Sequence, residues 1–426
     1  MSAFVQSKVA DGVVTASVDA ARTAGVGRRP LRVCHIAYTF YENDNRVIRY
    51  AEALAERGDS VDVIALRRAG QSSRGSANGV QVHRIQRRSV NERGPLSYLP
   101  KLVWFLVKSA AMLSVRQLRH RYDIVHVHNV PDFLVFAAVL PKLMGTRVIL
   151  DIHDILPELF AGKFGSEDRS VMFRALLLTE RLSCRFADHV IIANHLWHTK
   201  LIERTVPANK CTPILNYPDL RMFKPDTGGR PADRPFTFLY PGTLNHHQGL
   251  DIAIDAFAAA ASRMPDAELH VYGEGPARAQ LTSQVKALGL ADRVKIMDRV
   301  PLQEVSRLMA RADAGVVPKR ADGFGNEAFS TKILEFMACG VPVVVSKTQV
   351  DAHYFDDSLV RFFEPGNAAA LARAMVWAYE QRFAHGAWIE RARAFAVRNS
   401  WQERAVDYLQ IISHLSAAGQ PTAVAR

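Results

Sequence analysis

The stretch "GNEAFSTKILEFMACGVPVVVS", residues 325–346, predicts a short helix that is followed directly by a buried strand. Apolar residues recur at helical spacing in "KILEFMA", and Ser330 and Thr331 just before it are residue types that cap helices. The β-branched run in "VPVVVS" is typical of a strand that is covered on both faces. A helix that leads into such a strand indicates a parallel α/β sheet.

Three charged side chains accompany this hydrophobic segment. Glu327 and Glu335 are separated by seven residues, and Lys332 shares a helical face with Glu335. Because a helix N-terminus carries free N–H groups and a partial positive charge, a diphosphate fits there beside Lys332. Glu335 is then placed to accept hydrogen bonds from a ribose diol. The alternative is that Lys332 and Glu335 form a surface pair and that Glu327 is solvated.

Strand and helix patterns alternate along most of the chain. Short β-branched runs separated by helical stretches extend from Leu31 to Asn216 and start again at Phe236. This alternation predicts an α/β protein with two Rossmann-like, doubly wound domains that face a central cleft. Ligands of open parallel sheets bind beyond the carboxyl ends of the strands, so we expect loops of both domains to line the site.

The predicted domain boundaries follow from local composition. Residues 224–235, "KPDTGGRPADRP", indicate a linker because they are rich in Pro and Gly. The first residues lack the apolar run of a signal peptide, and the last ones resemble a frayed tail. The expected order is a disordered leader (1–29), an N-terminal domain (30–223), the linker, a C-terminal domain (236–399), a helix that packs back on the N-terminal domain (400–416) and a tail (417–426).

Composition limits the classes of partner. The 426 residues are 48% hydrophobic, and Lys and Arg exceed Asp and Glu by 54 to 42, which gives a net charge of +12. This excess favours an anionic partner such as a phosphorylated substrate, a membrane surface or nucleic acid. The four cysteines form no C-x-x-C pair, so they indicate neither a zinc site nor a disulfide framework and fit a reducing cytosol.

The segment Leu96 to Leu113, "LSYLPKLVWFLVKSAAML", is almost long enough to cross a bilayer. It contains Lys101 and Lys108, so we expect no transmembrane helix. The two lysines share one helical face, which leaves side chains such as Leu102 and Phe105 to be buried elsewhere. The segment is therefore either a core-facing helix or a helix that lies in the headgroup region of an anionic membrane.

The opening stretch resembles the Glu-x7-Glu signature of the family-4 (group 1) glycosyltransferases, whose usual form ends in "LEAMACGxPVV". Other segments match the family in order, from about Leu31 to Leu415: "DIVHVHNVPDFL", "ILDIHDILPELF", "YPGTLNHHQGLDIAIDAF", "LHVYGEGP" and "FFEPGN". The resemblance implies a GT-B fold, with an N-terminal acceptor domain and a C-terminal nucleotide-sugar domain. It also implies a retaining sugar transfer that needs neither a metal nor another cofactor.

The resemblance also assigns site residues. Glu335 matches the family's ribose-binding glutamate, and Glu327 and His153 match residues next to the donor sugar, which makes them the predicted catalytic pair. We further predict acceptor binding by Asp44, Arg46, His128 and Asp154. The predicted donor-binding residues are Gly242, Thr243, Gly273, Gly275, Lys319, Arg320, Ser330, Thr331, Lys332 and Glu335.

Two positions depart from the family pattern. In "GTLNHHQGL", Thr243 and Gln248 stand where the family usually has an Arg and a Lys that grip the diphosphate. This removes two charge-assisted contacts, each worth about 1.5–3 kcal/mol when buried. Either Lys332, with Lys319 and Arg320, holds the phosphates instead, or the chain binds no nucleotide sugar. We favour the first alternative.

A further departure concerns the first glutamate of the signature. Asp322 of "DGFG" resembles the glutamate of the family's "EGFG", but it lies thirteen positions before Glu335 instead of eight. Glu327 is therefore assigned by spacing, and Asp322 remains the alternative.

Several polar residues near predicted strand ends carry weaker signals. His126 and His128 alternate on one strand without a cysteine or carboxylate at ligand spacing, so no metal site is predicted. His153 follows a strand, in a functional or a structural role. Asp44 is predicted to cap the next helix, and Arg46 to face the cleft or a neighbouring carboxylate.

The sequence thus predicts a retaining glycosyltransferase that uses a nucleotide-diphosphate sugar and a lipid-linked or glycan acceptor in bacterial exopolysaccharide or other surface glycan assembly. We expect it in the cytoplasm, peripheral at the inner face of the membrane, and without a nucleic-acid partner. A catalytically inactive GT-B scaffold and a sugar-nucleotide epimerase are the alternatives. A dehydrogenase is disfavoured because Arg278 occupies the third glycine position after Gly273 and Gly275.

Overall fold

The computed structural model describes residues 29–88, 95–164, 171–226, 228, 234–382 and 386–417. These residues divide into two compact units, one made of residues 29–216 and 405–417 and the other of residues 217–404. We call them the first and the second domain. The predicted leader up to residue 28, part of the predicted linker and the tail after residue 417 lie outside the described residues.

The first domain is built on an eight-stranded sheet with the order β3-β4-β2-β1-β5-β6-β7-β8. Its helices are α1 (Asn45–Glu56), α2 (Pro95–Arg119), α3 (Val139–Leu143), α4 (Leu156–Phe164), α5 (Val171–Phe186) and α6 (His195–Arg204). Its strands are β1 (Arg32–Ala37), β2 (Ser60–Arg67), β3 (Arg74–Ala77), β4 (Val80–Arg87), β5 (Ile124–His128), β6 (Arg147–Ile152), β7 (His189–Ile192) and β8 (Cys211–Pro213).

The edge strand β3 was not predicted. It pairs antiparallel with β4, with Ala77 opposite Val80. Asn78 and Gly79 between them both adopt positive φ angles, of 49° and 82°. An Asn-Gly turn of this kind joins two strands in a hairpin, and the Asn-Gly dipeptide can be recognised in the sequence.

The second domain is built on a six-stranded parallel sheet with the order β11-β10-β9-β12-β13-β14. Its helices are α7 (Leu250–Ala260), α8 (Arg278–Ala287), α9 (Leu302–Arg311), α10 (Gly323–Glu327), α11 (Thr331–Ala338), α12 (Gln349–Tyr354), α13 (Ala368–Glu380) and α14 (Gly386–Arg398). Its strands are β9 (Phe236–Pro241), β10 (Ala267–Tyr272), β11 (Val294–Met297), β12 (Ala314–Val317), β13 (Val343–Ser346) and β14 (Arg361–Phe363).

The last helix, α15 (Trp401–Ala417), begins in the second domain, and its residues from 405 onward belong to the first. The hydroxyl of its Tyr408 lies 3.0 Å from Nδ1 of His126 on β5. For the whole segment 400–416, packing on the N-terminal domain stays a prediction.

The segment that opened the sequence analysis forms helix α11 and strand β13. The helix begins at Thr331, as predicted, and buries Ile333, Leu334, Phe336 and Met337, while all four residues of β13 are buried. Phe336 packs so closely on β12 that a Cβ added to Gly315 would lie 2.5 Å from its ring. The α/β fold class predicted from the sequence is confirmed in both domains.

Helix α2 contains the segment that was predicted either to face the core or to lie on a membrane. Leu102, Phe105 and Leu113 are buried, which fits the core-facing interpretation for one side of the helix. The side chains of residues 95–98 lie outside the described ones. Among the helices that the structure describes, none is long and apolar enough to cross a bilayer.

Candidate functional site

In each sheet the parallel strands change direction of succession at one point, and the predicted site residues follow strands at or next to that point. In the second domain β9 lies between β10 and β12, and in the first domain β1 lies between β2 and β5. Loops at such a switch point diverge and leave room for a ligand beyond the strand ends.

Backbone packing shapes the second-domain loops. The N–H of Leu244 donates to the carbonyl of Glu274 at 2.9 Å, which joins the loop after β9 to the loop after β10. A Cβ at Gly273 would lie 1.8 Å from the carbonyl oxygen of Gly242, and one at Gly275 would lie 2.4 Å from that of Leu244. Only glycine permits this contact, so both predicted glycines are needed to position the loops.

Lys332 extends from the first turn of α11 over the loop after β9. Its Cε would lie 2.7 Å from a Cβ added at Gly242, and its Nζ lies 5.2 Å from the centre of the Tyr240 ring. The pKa of this ammonium group is lowered to about 8, mainly by burial and also by Lys319, while Glu335 and Asp351 oppose the shift. The charged form is therefore poorly compensated within the protein, so an anion next to Nζ would stabilise it.

The N-terminus of α11 has an unsatisfied polar atom. Ser330 occupies the N-cap position, but it makes no side-chain capping bond, so the predicted capping role is wrong for this residue. Its Oγ is buried and has no hydrogen-bond partner among the residues that the structure describes. A buried hydroxyl without a partner is costly, and a ligand oxygen at the helix N-terminus would satisfy it together with the first N–H groups, including that of Thr331.

The two signature glutamates lie on neighbouring helices of this domain. Glu327 is the last residue of α10 and Glu335 belongs to α11, and both are partly exposed. Asp322, the alternative to Glu327, is exposed at the N-cap position of α10 and makes no side-chain capping bond. The assignment of Glu327 as the catalytic carboxylate stays a prediction.

Lys319 and Arg320 each form an ion pair within the second domain. The buried Nζ of Lys319 lies 2.9 Å from Oδ2 of Asp351 and donates to the carbonyl of Ala328 at 2.7 Å. Arg320 pairs with Asp251 in the first turn of α7. Their predicted contact with phosphate stays a prediction. Of the three predicted phosphate-binding cations, Lys319, Arg320 and Lys332, only Lys332 has no such ion pair among the described residues.

The two departures from the family pattern form part of a hydrogen-bond chain. The Tyr240 hydroxyl lies 3.0 Å from Oε1 of Gln248, whose Nε2 lies 2.9 Å from Nε2 of His247, while Thr243 is exposed. Burial lowers the pKa of His247, and Lys332 lowers it further. The sequence analysis did not single out this histidine, although it directly precedes Gln248.

In the first domain, Arg46 forms a buried ion pair with Asp151. Its Nε and Nη2 donate to the two carboxylate oxygens at 2.8 and 2.7 Å, and its Nη1 donates to the carbonyl of Ile214 at 2.8 Å. Burial opposes ionisation of Asp151, but Arg46 and then His153 hold its pKa well below the usual range. Of the two orientations predicted for Arg46, the structure has the one toward a neighbouring carboxylate.

Asp151 also orients two histidines. Its Oδ2 lies 3.0 Å from Nδ1 of His128 and 2.9 Å from Nε2 of His153. Burial disfavours the charged form of His153, but Asp151 outweighs it and raises the pKa of His153. His128 is fully buried, whereas the His153 side chain retains an exposed fraction of 19%. His153 is therefore the member of this group that can meet a ligand directly.

The same histidines belong to a larger buried cluster. Nδ1 of His35 lies 3.0 Å from Nε2 of His128, and the rings of His126 and His128 stack at 4.2 Å. The ligand atoms of His35, His126 and His128 lie close enough to hold a metal ion, as do those of His128, Asp151 and His153. Both ring nitrogens of His128 already have hydrogen-bond partners, which weighs against a metal ligand role. His126, His128 and His153 were considered from the sequence, whereas His35 was not.

The remaining predicted residues of the first domain are Asp44, which is close to Arg46 in the sequence, and Asp154, which follows His153. Asp44 caps α1, since its side chain accepts a hydrogen bond from the N–H of Val47 at 3.2 Å. Asp154 is partly exposed, and burial raises its pKa. Acceptor binding by these two residues, by Arg46 and by His128 stays a prediction.

Two family descriptions match the sequence. Residues 44–216 match "Glycosyl transferase 4-like domain", and residues 227–395 match "Glycosyl transferases group 1". Together these matches cover most of both domains. They include the Arg46 to Asp154 group in the first domain and the Gly242 to Glu335 group in the second.

Individual proteins support the same assignment. The chain is 25% identical to the phosphatidyl-myo-inositol mannosyltransferase of Propionibacterium freudenreichii subsp. shermanii, over 90% of this chain and 93% of that protein. Its fold is similar to that of sucrose-phosphate synthase from Thermosynechococcus elongatus, with a TM-score of 0.74, 19% identity and coverage of 92% and 100%. For Anabaena HepE in complex with UDP-glucose the TM-score is 0.67, with 20% identity and coverage of 91% and 100%.

Proposed function

Because the chain belongs to the group 1 glycosyltransferases and has their GT-B fold, we propose that it transfers a sugar from a nucleotide diphosphate to an acceptor hydroxyl with retention of configuration. The observation that carries the proposal is the position of Lys332. Its poorly compensated ammonium group lies beside the glycine loops and next to the unsatisfied N-terminus of α11.

The diphosphate is proposed to bind at this helix N-terminus. Lys332, the Ser330 hydroxyl and the first N–H groups of α11 supply the contacts, and the close approach at Gly242 and Gly273 lets the backbone reach the ligand. Glu335 accepts hydrogen bonds from the ribose. These contacts replace the Arg and Lys that the family usually has at the positions of Thr243 and Gln248.

The proposed reaction needs no covalent intermediate on the protein and no metal. The bond between the anomeric carbon and the diphosphate oxygen breaks, and the acceptor oxygen bonds to the same face of that carbon. The acceptor proton passes to the departing diphosphate. Lys332 and the helix N-terminus stabilise the charge that develops on this leaving group, and His153 and Glu327 position the sugar.

The test is a calorimetric titration with UDP, GDP and their common sugar conjugates in the presence of EDTA. Saturable binding of one nucleotide fixes the donor class and supports a metal-independent site. If none of the nucleotides binds, the inactive scaffold becomes the better description of the chain. Transfer to an added acceptor distinguishes a transferase from an epimerase, which would change the sugar nucleotide without an acceptor.

The first mutational prediction concerns Glu335. Glu335→Ala should weaken nucleotide binding about tenfold, because it removes a charged acceptor of ribose hydrogen bonds worth about 1.5 kcal/mol. Calorimetry of the variant with the nucleotide chosen by the wild type provides the measurement. A matched change at Glu304 on α9, which lies outside the proposed site, should leave the affinity unchanged. Equal affinities for wild type and Glu335→Ala would remove Glu335 from the site.

A second prediction separates catalysis from binding at His153. His153→Ala should lower kcat about tenfold to a hundredfold while the affinity for the free nucleotide changes little, since the proposed contact is with the sugar. The measurement combines steady-state kinetics with calorimetry. His153→Asn, which keeps a hydrogen-bonding group at that position, serves as the comparison. A normal kcat in the alanine variant would leave His153 with a structural role.

The acceptor and the location are proposed from surface properties. A lipid-linked or glycan acceptor of bacterial surface polysaccharide assembly fits a basic protein whose helix α2 was predicted either to face the core or to lie on an anionic membrane. On this proposal the protein acts at the inner face of the cytoplasmic membrane as a peripheral enzyme.

A further inference from the structure

Exposed hydrophobic side chains are concentrated on one part of the first domain. Among the described residues fourteen large hydrophobic side chains are exposed, and twelve of them belong to α2, α3 and α5. The most exposed examples are Val171, Leu143 and Leu118, at 84%, 80% and 69%. Single exposed apolar residues are ordinary, but a concentration on neighbouring helices marks an interaction surface.

These three helices cover the same side of the sheet. A 3-10 helix at Asp132–Ala138 packs on β5 and β6, and α2, α3 and α5 all contact it. Phe136 of this segment meets Phe186 at the end of α5, with ring centres 5.3 Å apart. Helices α2 and α3 also contact each other, and α5 is joined to them through the 3-10 helix. We call the exposed outer side chains of these three helices together the three-helix face.

Each of the longer helices has a clear inner and outer side. On α2 the buried residues Leu102, Phe105 and Leu113 recur at helical spacing, and the exposed Val103, Trp104, Val107, Val115 and Leu118 occupy the other side. On α5, Phe173 and Cys184 are buried, while Val171, Met172, Leu178 and Leu182 are exposed. The exposed apolar residues are thus additional to those that the core requires.

The charge of the three-helix face has one sign. Helices α2 and α3 contain no acidic residue, and the single acidic residue of α5, Glu180, is buried and paired with Arg204. The exposed charged side chains on these helices and at the end of α2 are basic: Lys101, Arg119, Arg121, Arg174, Arg181 and Arg185. Among the described residues of these three helices the exposed charges are thus cationic, while Asp188 just after α5 is paired with Lys142 of α3. An apolar surface that carries exposed cations is complementary to acyl chains beneath anionic headgroups.

We propose that the three-helix face docks on an anionic lipid bilayer. The apolar side chains of α2, α3 and α5 enter the headgroup region, and the arginines around them contact phosphate groups. The inference rests on the peripheral membrane association proposed above and extends it from one helix to three. It assigns to α5 a role that the sequence analysis did not predict.

The test measures the binding of the full chain to sedimented vesicles of phosphatidylcholine, with and without phosphatidylglycerol. The wild type should bind the anionic vesicles and lose that binding in high salt, because the cations are then screened. Replacing Leu178 and Leu182 together by Gln should weaken binding about tenfold or more, since two exposed apolar contacts are lost. Replacing Arg181 and Arg185 by Gln should weaken it about twenty-five-fold, at about fivefold for each cation.

The controls separate this inference from the proposals on which it builds. The pair Leu288→Gln and Val397→Gln removes two exposed apolar side chains from the second domain, at 43% and 37%, and should leave vesicle binding unchanged. If Trp104→Gln with Leu118→Gln abolishes binding but the α5 pairs do not, the three-helix inference fails and membrane association through α2 stands. If the wild type binds no vesicles, the three-helix inference and the membrane association through α2 both fail. Nucleotide binding, which calorimetry measures, is unaffected by that result. The chain could instead form a concentration-dependent dimer that the α5 changes dissociate. That result would overturn the proposal of a bilayer and assign the three-helix face to a second copy of the chain.

Discussion

Replacing Lys332 by Met should lower kcat/KM by about a hundredfold to a thousandfold. The substitution removes the ammonium group that we propose to stabilise charge on the departing diphosphate, and the loss of one such preorganised donor typically has this effect. The long methionine side chain keeps the packing over Gly242 and Tyr240. Steady-state kinetics at saturating acceptor give the value, and a less than threefold change would remove Lys332 from the phosphate site.

The pH dependence gives a second measure of Lys332. Its pKa in the free protein is about 8, and a bound diphosphate would raise it, so the complex holds more protons than the free protein above that pH. Nucleotide affinity should therefore fall as the pH rises through 8 in the wild type and stay flatter in Lys332→Met. Lys286→Met on α8 is the matched control and should behave like the wild type. Lys319→Ala should cost stability, because it leaves Asp351 without its partner in the core.

The second large effect concerns the buried ion pair of the first domain. Arg46→Met should lower the free energy of unfolding by about 3–5 kcal/mol at pH 7, because the buried Asp151 loses its guanidinium partner and keeps only His128 and His153 among the described residues. Urea denaturation followed by circular dichroism measures the change. The loss should shrink toward pH 5, since without Arg46 the pKa of Asp151 is raised and folding of the variant takes up a proton.

A double variant distinguishes the charge from the packing. Adding Asp151→Asn to Arg46→Met removes the buried charge and should recover part of the lost stability at pH 7. If the double variant is less stable than Arg46→Met alone, the hydrogen bonds that Asp151 accepts from His128 and His153 matter more than its charge. If Arg46→Met unfolds like the wild type, the ion pair contributes little to the fold.

Local patterns predicted the elements of this fold well. The start of α11 at Thr331 and its buried face follow from helical spacing and the capping residue types before it. The cap itself illustrates the limit, because Ser330 is positioned correctly but its hydroxyl makes no capping bond. Residue type predicts where a helix begins, whereas the direction of one side chain depends on the loops that pack against it.

Charge partners were harder to predict because they are distant in the chain. Arg46 pairs with Asp151 across 105 positions, and Arg320 pairs with Asp251 across 69. The sequence showed that these residues follow strands and so lie near a sheet edge. It did not show which carboxylate each cation would meet, since that depends on strand order, which helical and strand periodicity leave undetermined.

The exposed apolar surface of the first domain could be predicted from the sequence only in part. The segment Leu96 to Leu113 stood out because it is long and apolar, so α2 was a candidate for membrane contact from its sequence. Helix α5 did not stand out, because its mixture of leucines and arginines resembles any amphipathic helix. Only its position beside α2, on the same side of the sheet, makes its outer face part of a larger surface.

The hydrogen-bond chain of Tyr240, Gln248 and His247 bears on how this protein can be engineered. Consensus design would restore the family's Lys at position 248 and expect greater stability, since family-average residues are usually well tolerated. Here a lysine would take the acceptor away from the Tyr240 hydroxyl and place another cation near His247 and Lys332. The family average is thus a poor guide at this position, and Gln248, His247 and Lys332 are best exchanged together.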